Sequence, residues 1–126
     1  MAEGLVLTEQ RNLTRRELIY YLKIVDRKTG RELGRMGDIH GEGMLVLGRP
    51  ALEPGTVYDS LLELPKALQD KGAAELHLKF EAVWARPGPK NSNFEESGAK
   101  FMSLSPSQRQ MIERLIELFA MPVSEH

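Results

Sequence analysis

Apolar and polar positions alternate most regularly from Glu75 to Arg86. Leu76, Leu78, Phe80, Ala82 and Trp84 fall on one face, and His77, Lys79, Glu81 and Val83 on the other. That period of two predicts a strand with one face on a core, Trp84 included. Residues 18–25 concentrate β-branched and aromatic side chains and predict an earlier strand. A turn at 26–30 returns the chain as a second strand over 31–39, in which Gly37 marks a bulge or a close backbone approach. Gly41-Glu42-Gly43 interrupts the pattern and 44–47 resumes it as a third strand. A fourth is expected over 57–64, ending at Pro65, and a sixth over 98–104. Residues 66–72 read as a polar connector. Residues 87–97 hold two prolines, two asparagines and two glutamates and read as a surface loop.

After Leu104 the period changes. Met111, Ile112, Leu115, Ile116, Leu118 and Phe119 form one wide apolar helical face over about 106–120. Ser105 suits the N-cap, Pro106 the first helical position, and Gln108 the third position of a capping box. Pro122 ends the helix. Six short strands and one terminal amphipathic helix make a mainly β chain, a small barrel with a helix packed on it. Residues 1–17 read as a polar arm ahead of a single domain at 18–121.

Composition narrows the function. A chain of 126 residues supports one core. A net charge of −1 argues against a DNA or RNA partner, which usually draws a basic excess. There are no cysteines, which excludes disulfides and fits a reducing compartment. The N-terminus lacks the basic start and apolar stretch of a signal peptide, and no run nears the ~18–20 apolar residues of a membrane span. These features predict a cytoplasmic protein without membrane insertion. His40, His77 and His126 are scattered and give no metal-ligand spacing. No phosphate loop or dinucleotide fingerprint occurs. No enzyme and no cofactor are expected.

Two short segments carry the candidate chemistry: Arg11-Asn12-Leu13-Thr14-Arg15-Arg16 and Asp38-Ile39-His40-Gly41-Glu42-Gly43. Read alone, the arginines form a solvated face, Asp38 with the glycines a turn, His40 a surface or packing residue, and Trp84 part of the core. Read together, in this order and each before a strand, they resemble the Arg-x-x-x-Arg and Asp-x-Ser-x-x-Gly motifs of the PilZ domain family, with His40 in place of the usual Ser. The ending Val83-Trp84-Ala85-Arg86 and the stretch from Gly98 to Pro106 extend the resemblance to residues 11–120.

The resemblance implies a six-stranded antiparallel β-barrel with a C-terminal helix, and a stand-alone bacterial receptor for cyclic di-GMP. It implies that Arg11 and Arg15, with Arg16 one register away, hold the nucleotide. An arginine fork donates in pairs to guanine O6 and N7 or to phosphate, and stacks on bases. Asp38 would accept from guanine N1–H and N2, and Gly43 would let the ligand approach the backbone. His40 would stack on a purine or donate to phosphate, and Trp84 would flank a guanine. Ordering of the arm would relay the signal to an unidentified protein effector in motility or biofilm control. The alternative is a PilZ-like interaction module, altered at His40, that does not bind the nucleotide. The resemblance is compatible with one bound nucleotide or an intercalated pair.

Overall fold

The computed structural model describes residues 22–69 and 72–120. The arm with Arg11, Arg15 and Arg16, the expected strand start at 18–21, and Pro122 lie outside the described residues. Six strands follow in order: β1 (Lys23–Asp26), β2 (Glu32–His40), β3 (Gly43–Gly48), β4 (Val57–Glu63), β5 (Glu75–Pro87) and β6 (Glu95–Phe101). They close into a barrel in the ring order β1-β2-β3-β6-β5-β4, with every neighbouring pair antiparallel. Closure leaves no open sheet edge around the ring.

The inward positions fill the barrel. Ile24, Met36, Val46, Leu62, Leu78 and Phe80 are at most 1% exposed, and Phe80 stacks on Tyr58 with ring centroids 5.5 Å apart. Helix α1 (Pro106–Ala120) adds Ile112, Leu115 and Phe119 to this core. Its contacts fall on β2 and β5, which stand opposite each other in the ring, so it covers a mouth of the barrel. The expected capping box forms. The Gln108 N–H donates to Ser105 Oγ at 3.1 Å, and the Ser105 N–H donates to Gln108 Oε1 at 2.7 Å. Gln108 Nε2 also donates to the His77 carbonyl at 2.7 Å, fixing the helix start to β5.

Three sequence expectations are corrected. The sixth strand starts at Glu95 and ends at Phe101, not 98–104. Its polar start is satisfied by remote partners. Glu95 Oε1 accepts the Ala51 N–H, Ser97 Oγ accepts the Leu52 N–H, and Glu96 Oε1 accepts from Arg86 Nε. The connector at 66–72 is not wholly polar, since a 3₁₀ turn at Lys66–Leu68 buries Leu68. Trp84 does not join the core. The β5–β6 register shifts between Ala82 and Trp84, and Trp84 emerges 39% exposed. The bulge expected at Gly37 is present, as a shift between Met36 and Asp38 against β3. Among the described residues no helix is long and apolar enough to cross a membrane.

Candidate functional site

The two bulges re-aim side chains onto the outer surface of β2, β3, β6 and β5. Past Gly37, Asp38 and His40 point outward while Ile39 is buried. Past Val83, Trp84 and Arg86 point outward. Cross-strand register then lines up two rows. Asp38, Leu45, Gly98 and Trp84 stand side by side, and His40, Gly43, Lys100 and Glu81 form the next row. A glycine in the middle of each row lowers the surface between Asp38 and His40 on one side and Trp84 on the other. The result is a pocket of about 220 Å³ walled by Asp38, His40, Val83 and Trp84 and floored by Leu45 and Gly98. That is smaller than the roughly 300–1,000 Å³ of typical small-molecule sites. A groove of about 570 Å³, lined by Leu47, Phe94, Arg35 and Arg49 among others, adjoins it through the shared Leu45.

Three of the seven residues singled out in the sequence, Asp38, His40 and Trp84, line this pocket, and Gly43 pairs with His40 beside it. Asp38 Oδ1 accepts the neighbouring Ile39 N–H at 2.8 Å, which holds the carboxylate near the strand. His40 Nδ1 accepts the Glu42 N–H at 3.2 Å. That bond leaves the neutral ring's proton on Nε2, as a donor. Gly43 has a packing reason of its own. A Cβ there would run into the Ala99 carbonyl oxygen, and the His40 ring lies just above it. Gly41 faces open space.

Sequence reasoning missed Gly98, Arg86 and Glu96. The Trp84 indole rests on Gly98, where a Cβ would overlap its atoms. The Arg86 guanidinium stands 4.7 Å from the ring centroid and Arg86 Nε donates to Glu96 Oε1 at 2.6 Å. No sequence signal marked them, since only cross-strand register sets Gly98 beside Trp84 and Glu96 beside Arg86.

A second polar cluster lies elsewhere on the barrel surface. His77 Nε2 is hydrogen-bonded to Asp59 Oδ1, and Arg27 Nη1 donates to Asp59 Oδ2 at 3.4 Å. The His77 bond chiefly holds the Asp59 carboxyl below its ordinary value of 3.8. No three His, Asp or Glu side chains converge as metal ligands among the described residues.

Solved structures share this fold at low sequence identity. The PilZ domain of YcgR from Escherichia coli, solved with c-di-GMP, is 16% identical with a TM-score of 0.59, over 76% of this chain and 78% of that one. The Bacillus subtilis inhibitor of motility MotI/DgrA is 12% identical with a TM-score of 0.60, over 75% and 44%. The K. pneumonia MrkH–c-di-GMP complex is 15% identical with a TM-score of 0.63, over 90% and 53%. The chain thus spans about half the length of the last two. No curated protein matches it in sequence. The PilZ domain pattern itself matches residues 9–118, from the arginine arm through the barrel to the helix, and the chain belongs to the PilZ domain family.

Proposed function

We propose that this chain is a cyclic di-GMP receptor that relays the nucleotide signal to a protein partner, and that it is a receptor rather than an enzyme. The observation that carries the reading is the convergence of Asp38, His40 and Trp84 on one pocket, although they come from β2 and β5, two strands not adjacent in the ring. The pocket has the scale of one purine rather than a cyclic dinucleotide. The barrel therefore supplies half of a site, and Arg11, Arg15 and Arg16 supply the other half by closing over the ligand. Asp38 accepts from guanine N1–H and N2. His40 Nε2 donates to phosphate or to the guanine O6/N7 edge, replacing the hydroxyl that the family usually has there. Ordering the arm costs roughly 1–2 kcal/mol per residue fixed. Charge-assisted hydrogen bonds of about 1.5–3 kcal/mol each offset it. The newly ordered surface is what a partner would read.

The experiment is a calorimetric titration of the full chain with cyclic di-GMP at near-physiological salt, with GMP as control. Saturable binding at micromolar affinity or better is expected, with stoichiometry separating one nucleotide from an intercalated pair. Arg15→Glu should abolish binding and leave the melting temperature unchanged. Absence of heat in the wild type, with no amide shifts in an NMR titration, would sink the proposal.

One observation favours a second reading. The His40 ring, held by the Glu42 N–H, covers Gly43 and so occupies space over the motif glycine. If it blocks the ligand, the chain is an interaction module that no longer binds the nucleotide. His40→Ser separates the two readings. It changes affinity modestly in a receptor and creates binding where the wild type has none.

A further inference from the structure

One bond in the β2–β3 turn exists only while a side chain is uncharged. His40 Nδ1 accepts the Glu42 N–H at 3.2 Å. A ring nitrogen that carries a proton cannot accept, so this contact requires Nδ1 to be deprotonated. The same bond fixes where the ring lies. His40 pairs with Gly43 across the turn, and its Cε1 stands 3.5 Å from the place a Gly43 Cβ would take. The ring is thus held over the motif glycine, at the rim of the pocket that Asp38 also lines. The charged groups around it come from four elements. They are Asp38 on its own strand with Glu42 in the turn, Lys100 on β6 beyond Gly43, Glu81 on β5 beyond Lys100, and Arg109 of α1, which lines a cleft with Glu42 and Lys100. None of them forms an ion pair with His40 among the described residues. Anions outnumber cations among these neighbours, so a positive charge on the ring is tolerated.

We infer that His40 is a proton-operated cover on the nucleotide site: the neutral ring is latched over Gly43 by the Glu42 N–H, and protonation releases it and makes it a cation for the ligand's phosphates. The inference rests on the nucleotide reading above, in which His40 Nε2 donates to the ligand. A proton on Nδ1 turns the acceptor into a donor facing another donor, and the latch opens. What is lost is one exposed hydrogen bond, whose N–H then finds water. What is gained is an open approach to the Gly43 backbone and an imidazolium with two donors beside an anion. Histidine is the side chain whose charge ordinarily changes between pH 5 and 8, and a serine at this place would carry no such switch. The bound state then holds a proton that the free state lacks. Affinity therefore rises as pH falls and is lost as pH rises, by at most about tenfold per pH unit for one group.

The full chain is titrated with cyclic di-GMP by calorimetry at a series of pH values from about 5.5 to 8.5. Near neutral pH the titration is repeated in Pipes and in Tris, whose heats of ionisation differ widely. Wild-type affinity should fall about tenfold or more across the series, and the heat should differ between the buffers by uptake of up to about one proton per complex. His40→Gln can still accept the Glu42 N–H but takes no proton, so it should bind no more tightly than the wild type at the highest pH, and equally at every pH. His40→Ser should bind without pH dependence. His77→Gln, which removes a histidine outside the pocket, should keep the wild-type profile. Without ligand, the Glu42 amide resonance should move together with those of the His40 ring as pH changes. Wild-type binding that is flat with pH and gives the same heat in both buffers overturns the cover and leaves the nucleotide reading standing. So does a pH profile kept in His40→Gln or lost in His77→Gln, or a Glu42 amide that does not follow the ring. Absence of heat in the wild type at every pH overturns both.

Discussion

The two halves of β5 obey different rules. From Glu75 to Glu81 the strand pairs with β4, and β6 joins it from Phe80 onward. Its even-numbered residues are buried, and polar side chains on its outer face find partners, as His77 does with Asp59. From Val83 to Pro87 it has run past β4 and pairs with β6 alone. Here Val83 and Trp84 are 52% and 39% exposed, and the partners of Trp84 are a glycine and an exposed arginine. The first half spends its side chains on the barrel. The second presents them to whatever comes. A strand can thus serve as core and as binding surface when one inserted residue divides the roles.

The sharpest way to break this contrast is to truncate one aromatic ring in each half. Phe80→Ala should cost about 3–5 kcal/mol of stability in urea unfolding. Trp84→Ala should cost less than about 1 kcal/mol yet weaken cyclic di-GMP binding tenfold or more, given roughly 1–3 kcal/mol per stacked base. Equal stability losses would make the two halves equivalent. The glycines of the β2–β3 turn sharpen the comparison further. Gly43→Ala pushes a Cβ against the Ala99 carbonyl and should cost about 1–3 kcal/mol in a thermal melt. Gly41→Ala meets open space and should stay within about 0.5 kcal/mol.

A smaller effect tests the tie between helix and first half. Gln108→Ala removes both the capping partner and the donor to the His77 carbonyl, and should cost about 1 kcal/mol. The smallest is a pH effect. The Asp59 carboxyl titrates below 3.8 in the folded chain, so its contribution is present above that value and lost as pH falls through the lower folded value. The stability gap between wild type and Asp59→Asn should therefore close below pH 3.8. A gap that held constant there would show that the His77 bond does not stabilise the first half.

Most of the fold was legible because most elements follow a single period. The helix, with its capping box, and the first four pairs of β5 could be read from spacing alone. The start of β6 was not legible, because Glu95, Glu96 and Ser97 look like loop residues until Ala51, Arg86 and Leu52 come to meet them from elsewhere in the chain. Trp84 failed for another reason. A period of two extrapolates blindly through a bulge, and the residue that breaks it, Val83, is apolar like its neighbours. Of the site, Asp38, His40 and Gly43 could be read as a motif. The partners of Trp84 could not, since Gly98 and Arg86 acquire meaning only from cross-strand register.

The two bulges also make the site a matter of parity. In β2 the buried positions change from even (Met36) to odd (Ile39) across Gly37, and in β5 the burial of even positions stops at Ala82, so that Trp84 and Arg86 are exposed past Val83. Excising Gly37 or Val83 alone would leave every functional side chain in the sequence while turning its strand's share of them into the barrel. Such a chain would keep the motif and lose the site. A gap of one residue at either place in a related sequence therefore carries more information about binding than the identity of the motif residues themselves.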